Sequence, residues 1–166
     1  MRLRRVIRHL FSTHGGTRRH FSAEVMGSIE KAIAAAEARC SGEIRFVVET
    51  ALELPEVWSG LTPRERAVQT FSDLHMWNTE GRNGVLIYLL AADRVVEVIA
   101  DRGAAQAIGQ DDWEGVCRLM EGHFRVGHFA DGSVAGVHAV GGLLARHFPP
   151  PAGVNRDELP NQPTLL

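Results

Sequence analysis

Asn83-Gly84-Val85-Leu86-Ile87-Tyr88-Leu89-Leu90-Ala91-Ala92-Asp93-Arg94-Val95-Val96-Glu97-Val98-Ile99-Ala100 decides the fold of this chain. From Gly84 to Ala92 the run is apolar without alternation, the pattern of a strand buried on both faces. Asp93-Arg94 ends it, and Val95 to Ala100 is a second β-branched run close behind. A tight turn between two strands makes an antiparallel hairpin.

Working upstream, Gly42 to Thr50 holds Ile44, Phe46, Val47 and Val48 and reads as another largely buried strand. A loop through Pro55 and Gly60 follows it. Thr62-Pro63-Arg64-Glu65 then supplies an N-cap, a proline at the first helical position and an acid at the capping-box position, so a helix starts there. Its apolar face is Ala67, Val68, Phe71 and Leu74. Before the first strand, Val25, Ile29, Ala32, Ile33 and Ala36 form a helical stripe over Ser22 to Arg39, with Ser22 as N-cap. After the hairpin, Asp111 to Val126 and Phe129 to Phe148 read as two helices divided at Gly127.

This order is α/β and implies a mixed sheet of three to four strands with helices on both faces. The first two strands, joined through a helical crossover, are predicted parallel with right-handed connectivity. Their N-terminal ends and the C-terminal end of the third strand then share one end of the sheet. Three loops are placed there: Ser41–Glu43, Glu80–Asn83 and Asp101–Asp112.

A chain of 166 residues with 45% hydrophobic and 23% charged residues has the make-up of one globular domain. The division predicted is an arm over residues 1–20, a domain over 21–148 and a tail over 149–166. Six of the 18 basic residues, all arginine, precede Glu24, the first acid in the chain; all 20 acids lie from there on. A basic arm thus leads an acidic body. Leu3, Val6, Ile7, Leu10 and Phe11 recur at helical spacing in that arm, with arginines largely on the other side. Leu3, Arg4, Arg5, Ile7 and Arg8 are therefore candidates for contact with an anionic membrane surface or a partner. The alternative is that the arm packs on the domain or pairs with another chain, with its arginines solvated. Nucleic acid is not an expected partner, since the body is acidic.

Arginines and His9 break the apolar stretch that a cleavable signal requires, and no segment reaches the length of a membrane span. The expected location is cytoplasmic, including the inner membrane face. Five of the seven prolines fall at Pro149, Pro150, Pro151, Pro160 and Pro163. Lacking backbone donors, they predict a flexible, dispensable tail excluded from the sheet centre. Cys40 and Cys117 match no metal or redox spacing and read as buried thiols, with a single disulfide left open. His75, His138 and His147 follow apolar helical faces and read as packed or interfacial residues.

Several ordered motifs now carry a resemblance. Ser41-Gly42-Glu43-Ile44 precedes a strand, Arg82-Asn83-Gly84-Val85-Leu86-Ile87 enters the central one, and Asp93-Arg94 turns the hairpin. Asp101-Arg102-Gly103 and Phe124-Arg125-Val126-Gly127-His128-Phe129-Ala130-Asp131-Gly132 introduce later helices. Over residues 22–148 the chain resembles the TPM domain family. The resemblance implies a small α/β/α sandwich, divalent-ion binding in some members, acid phosphatase activity in a chloroplast member, and partnership with LemA-type membrane proteins.

Independently of the family, the shared sheet end collects oxygen donors. Asp101, Asp111 and Asp112, with Glu43 or Asn83 nearby, form a candidate site for calcium or magnesium, and no His/Cys cluster suggests zinc. The competing reading makes Asp111 and Asp112 ordinary residues of a helix start and Asp101 part of a turn. Arg82 and Arg102 are the candidate phosphate-binding residues if the site is catalytic. No phosphatase nucleophile motif occurs. An interaction or scaffold module with a divalent cation at one sheet end is the leading expectation, and a divalent-metal-dependent acid phosphatase the alternative.

Overall fold

A computed structural model describes residues 2–152 and 157–166, and of Arg2 only the backbone. Its elements in chain order are α1 (Arg2–Phe11), α2 (His14–His20), α3 (Ala23–Glu37), β1 (Glu43–Glu49), α4 (Leu54–Ser59), α5 (Pro63–Asp73), β2 (Gly84–Leu90), β3 (Val95–Ala100), α6 (Arg102–Ala107), α7 (Gln110–Arg125), α8 (Phe129–His147) and β4 (Thr164–Leu165). The sheet runs β3-β2-β1-β4. β1 and β2 are parallel in the register Glu43 to Gly84 through Glu49 to Leu90, and β2 and β3 are antiparallel. The mixed α/β sandwich expected from the element order is the fold observed.

Alternation along the strands divides the core between two faces. Ile44, Phe46 and Val48 of β1, with Val85, Ile87 and Leu89 of β2, pack against Ile29 and Ile33 of α3, Val140 and Leu144 of α8, and Trp113 and Met120 of α7. On the opposite face Val47, Leu86, Tyr88 and Leu90 meet Val57 of α4 and Ala67 and Phe71 of α5. Both faces of β1 and β2 are thus covered, which is why β2 is an unbroken apolar run, while β1 carries Glu43, Arg45 and Glu49 only as buried residues with hydrogen-bond partners. Each fully enclosed aliphatic or aromatic side chain contributes about 1.5–3 kcal/mol of burial.

Helix starts follow local chemistry. Ser22 Oγ accepts the Val25 N–H, and Thr62 and Glu65 close a reciprocal capping box around Pro63. A second capping box, Glu53 with Glu56, makes a short helix of the segment through Pro55 that reads as a loop. Asp101, expected in a turn, caps α6, its carboxylate accepting the Arg102 N–H at 2.7 Å.

The tail corrects an expectation. Instead of a flexible extension apart from the domain, its described end adds β4 in parallel to β1, pairing Val47 with Thr164 and Val48 with Leu165. Leu166 N–H donates to Val48 O at 2.8 Å and Thr50 N–H to Leu166 O at 3.0 Å. Proline can sit at a sheet edge, where one side of the strand needs no donors, so Pro160 and Pro163 do not prevent this. Residues 153–156 of the tail lie outside the described residues.

The arm packs on the domain, as its alternative reading had it, and Arg4, Arg18 and Arg19 are exposed, but Arg5 and Arg8, expected to be solvated or to face a membrane or partner, are paired. α1 packs against α4, and Arg5 and Arg8 turn inward to Asp93 in the hairpin turn. Cys40 is buried, Cys117 is partly buried, and both are thiols. Among the described residues no helix is long and apolar enough to cross a membrane.

Candidate functional site

The start of β1 is where three loops converge. Asn83 Nδ2 donates to Ser41 O at 2.8 Å, Asp101 N–H to Gly84 O at 2.8 Å, and Gly103 N–H to Arg82 O at 2.8 Å. A Cβ on Gly103 would lie 2.6 Å from the Arg82 carbonyl, so glycine is what lets α6 approach this loop. The geometry expected from strand order is therefore present for Ser41–Glu43, Glu80–Asn83 and Asp101–Gly103.

Not all the predicted ligands come with it. Asp111 and Asp112 are exposed in the first turn of α7, and Asp112 lines a surface cleft between α7 and α8 with His138 and Arg146. Asp101 is engaged with the start of α6. Arg82 and Arg102 are exposed, and neither guanidinium makes an ion pair among the described residues. Asn83 is buried against Ser41, and its Oδ1 has no hydrogen-bond partner among the described residues.

Glu43 instead keeps different company. Among the described residues, one group of carboxylates is placed to share a cation: Glu37, Glu43 and Asp157, with ligand atoms all within 4.8 Å of one another. Glu37 ends α3, Glu43 begins β1, and Asp157 is in the tail. Glu37 Oε1 accepts the Ile44 N–H at 2.7 Å, fixing the end of α3 to the first strand. Glu43 accepts the Glu158 and Leu159 N–H groups at 3.2 Å each, which draws the tail across the sheet end. Asn161 Nδ2 donates to Asp157 at 3.3 Å, and its Oδ1 is buried without a hydrogen-bond partner among the described residues. Arg45 holds the tail further along, bonding to Pro160 O and to Thr164 Oγ1.

Burial dominates the electrostatics. Desolvation, reinforced by Glu43 and Asp157, raises the Glu37 carboxyl to about 8 against the hydrogen bond from Ile44. Glu43 is also raised by burial, opposed by the two tail N–H groups. Two enclosed acids beside a third favour either protonation or a countercharge. Carboxylate and amide oxygens are the donor set of a hard divalent cation such as calcium or magnesium.

Glu37 had a legible signal: it falls four residues after Ile33 on the apolar stripe of α3, where an acid needs a reason. Asp157 and Asn161 had none, because a proline-rich segment is bound here only through tertiary contacts.

The two helical layers around a four-stranded mixed sheet, with oxygen donors at the first strand, define a small α/β domain of the sandwich class. The chain belongs to the TPM domain family, whose model matches residues 18–143. It is similar to the BA42 protein of the psychrophilic bacterium Bizionia argentinensis sp. nov., whose NMR structure gives a TM-score of 0.77 at 33% identity over 87% of this chain and 94% of that one. No curated protein matches the chain.

Proposed function

We propose that this TPM-domain protein is an interaction module that binds a divalent cation between Glu37, Glu43 and Asp157. The observation that carries the reading is the convergence of three carboxylates, two of them buried, on one point at the sheet end. Asn161 Oδ1, buried and without a hydrogen-bond partner among the described residues beside Asp157, adds a neutral oxygen of the kind calcium accepts. A cation here joins the end of α3, the start of β1 and the tail. Its consequence is structural: a stiffened surface rather than a reacting centre.

A phosphatase requires cations that face the phosphoryl oxygens beside the metal. Arg45, whose charge acts on Glu37, has its guanidinium engaged with Pro160 and Thr164, and Arg82 and Arg102 belong to the neighbouring loop. Binding therefore ranks above catalysis.

Calorimetric titration of the full chain with calcium and with magnesium tests this. Saturable binding of at least one ion is expected, weakened about tenfold or more in Glu43→Gln and in Asp157→Asn, since each removes a charged ligand. Asp157 is exposed, so its substitution leaves folding intact. No binding of either ion, or unchanged binding in both variants, overturns the reading.

A further inference from the structure

Helix α1 lies on the domain with its polar side inward. Arg5 Nη2 is 2.7 Å and Arg8 Nη2 2.8 Å from the Asp93 carboxylate, and the His9 ring is fully enclosed, accepting the Leu52 N–H at its Nδ1. Of its apolar residues only Val6 joins the core. The rest face water: Leu3 is 67% exposed, Ile7 46%, Leu10 58% and Phe11 75%. At 3.6 residues per turn these four fall on one stripe, roughly opposite His9 and Arg5. The three contacts to Asp93 and Leu52 hold the helix in this orientation and prevent it from rolling to hide the stripe.

We propose that α1 is a membrane-docking helix, moored to the domain by Asp93 and presenting Leu3, Ile7, Leu10 and Phe11 to an anionic lipid surface. Charge selects the occupant. Arg4, Arg18 and Arg19 are exposed beside the stripe in sequence and make no ion pair among the described residues, and no acid precedes Glu24. Arginines flanking an apolar helical stripe are the complement of lipid phosphates over acyl chains. Area argues against a second copy: the stripe is a single ridge about 15 Å long, whereas a stable dimer buries about 800 Å² on each partner. α4, packed against α1, adds exposed Trp58, a residue type enriched at membrane interfaces. Because the helix is folded and fixed before contact, docking does not require ordering it.

This inference is independent of the cation site. The test is co-sedimentation of the full chain with phosphatidylcholine vesicles, alone or mixed with phosphatidylglycerol, at low salt. The expected result is enrichment of about fivefold or more on the anionic vesicles. Leu10→Glu/Phe11→Glu should return the protein to the supernatant, and Arg18→Glu/Arg19→Glu should remove the preference for anionic lipid. All four positions are exposed, and circular dichroism checks that each variant is folded. Failure to sediment with either vesicle, or sedimentation of Leu10→Glu/Phe11→Glu at the wild-type level, overturns the proposal. So does a concentration-dependent dimer, seen by sedimentation velocity, that Leu10→Glu/Phe11→Glu dissolves, because a second copy then covers the stripe.

Discussion

His9 Nε2 lies 3.2 Å from Asp93 Oδ1 while its Nδ1 accepts the Leu52 N–H, so the buried ring is neutral, with Nε2 on the side of the carboxylate. The same carboxylate binds Arg5 and Arg8. One aspartate in the hairpin turn thereby fixes the arm, and its loss should be costly. Asp93→Asn is expected to destabilise the protein by about 1–3 kcal/mol. Urea denaturation checks the magnitude, and a smaller change than about 0.5 kcal/mol would mean that α1 is held by α4 alone.

A pH dependence follows from His9. Burial lowers its pKa below the ordinary 6.5, although Asp93 pulls the other way. A histidine lowered in the fold binds its proton more readily when unfolded. Its contribution to stability is thus complete above about pH 6.5 and is lost as the pH falls through the folded value, by at most about 1.4 kcal/mol per pH unit. Unfolding free energies at pH 7.5 and 5.5 should drop more in wild type than in His9→Gln. Equal drops would remove His9 as the cause.

On the same face of the sheet, Glu49 is buried at the end of β1, receives the Tyr88 hydroxyl, and is gripped by Arg66 at 2.9–3.2 Å. Arg66→Ala leaves that charge enclosed and unpaired and is expected to cost about 3–5 kcal/mol. Tyr88→Phe removes one hydrogen bond from a carboxylate still paired with arginine, and about 1–2 kcal/mol is expected. Chemical denaturation should rank the two in that order; the reverse order would show that the hydroxyl, not the guanidinium, stabilises Glu49.

Removal of residues 157–166 tests the tail. The deletion takes away β4, the N–H partners of Glu43 and the Asp157 carboxylate of the proposed cation site together. It also bares the edge of β1, and an uncovered edge strand recruits other chains. A loss of about 2 kcal/mol or more in stability is expected, with abolished cation response and self-association visible by sedimentation velocity. A truncated protein that stays monomeric and equally stable would make the tail dispensable after all.

Local chemistry accounts for most of the architecture. The largely β-branched and aromatic segment Ile44–Val48, the apolar run Val85–Leu90, the capping box at Thr62 and Glu65, and the stripe Ile29, Ile33, Ala36 each specify an element from neighbouring residues alone. The strand order in turn placed Ser41–Glu43 beside Asn83 and Asp101. What sequence spacing could not supply was the partner of each acid. Asp111 and Asp112 are close to Asp101 along the chain, yet α6 carries the path away from it to the exposed start of α7. Asp157 is far from Glu37 in sequence and reaches it because the tail is drawn over the sheet end by Glu43 and Arg45.

The orientation of α1 has the same lesson. Periodicity showed that the arm has an apolar side and a basic side, but which side faces the domain depends on a buried Asp93 contributed by the hairpin. Composition and periodicity act through neighbours in the chain and so determined the elements and the class of fold. Tertiary structure alone decided the carboxylate cluster and the outward apolar stripe, because both depend on desolvated charges meeting across long loops, where the strength of an interaction is set by burial and distance in space.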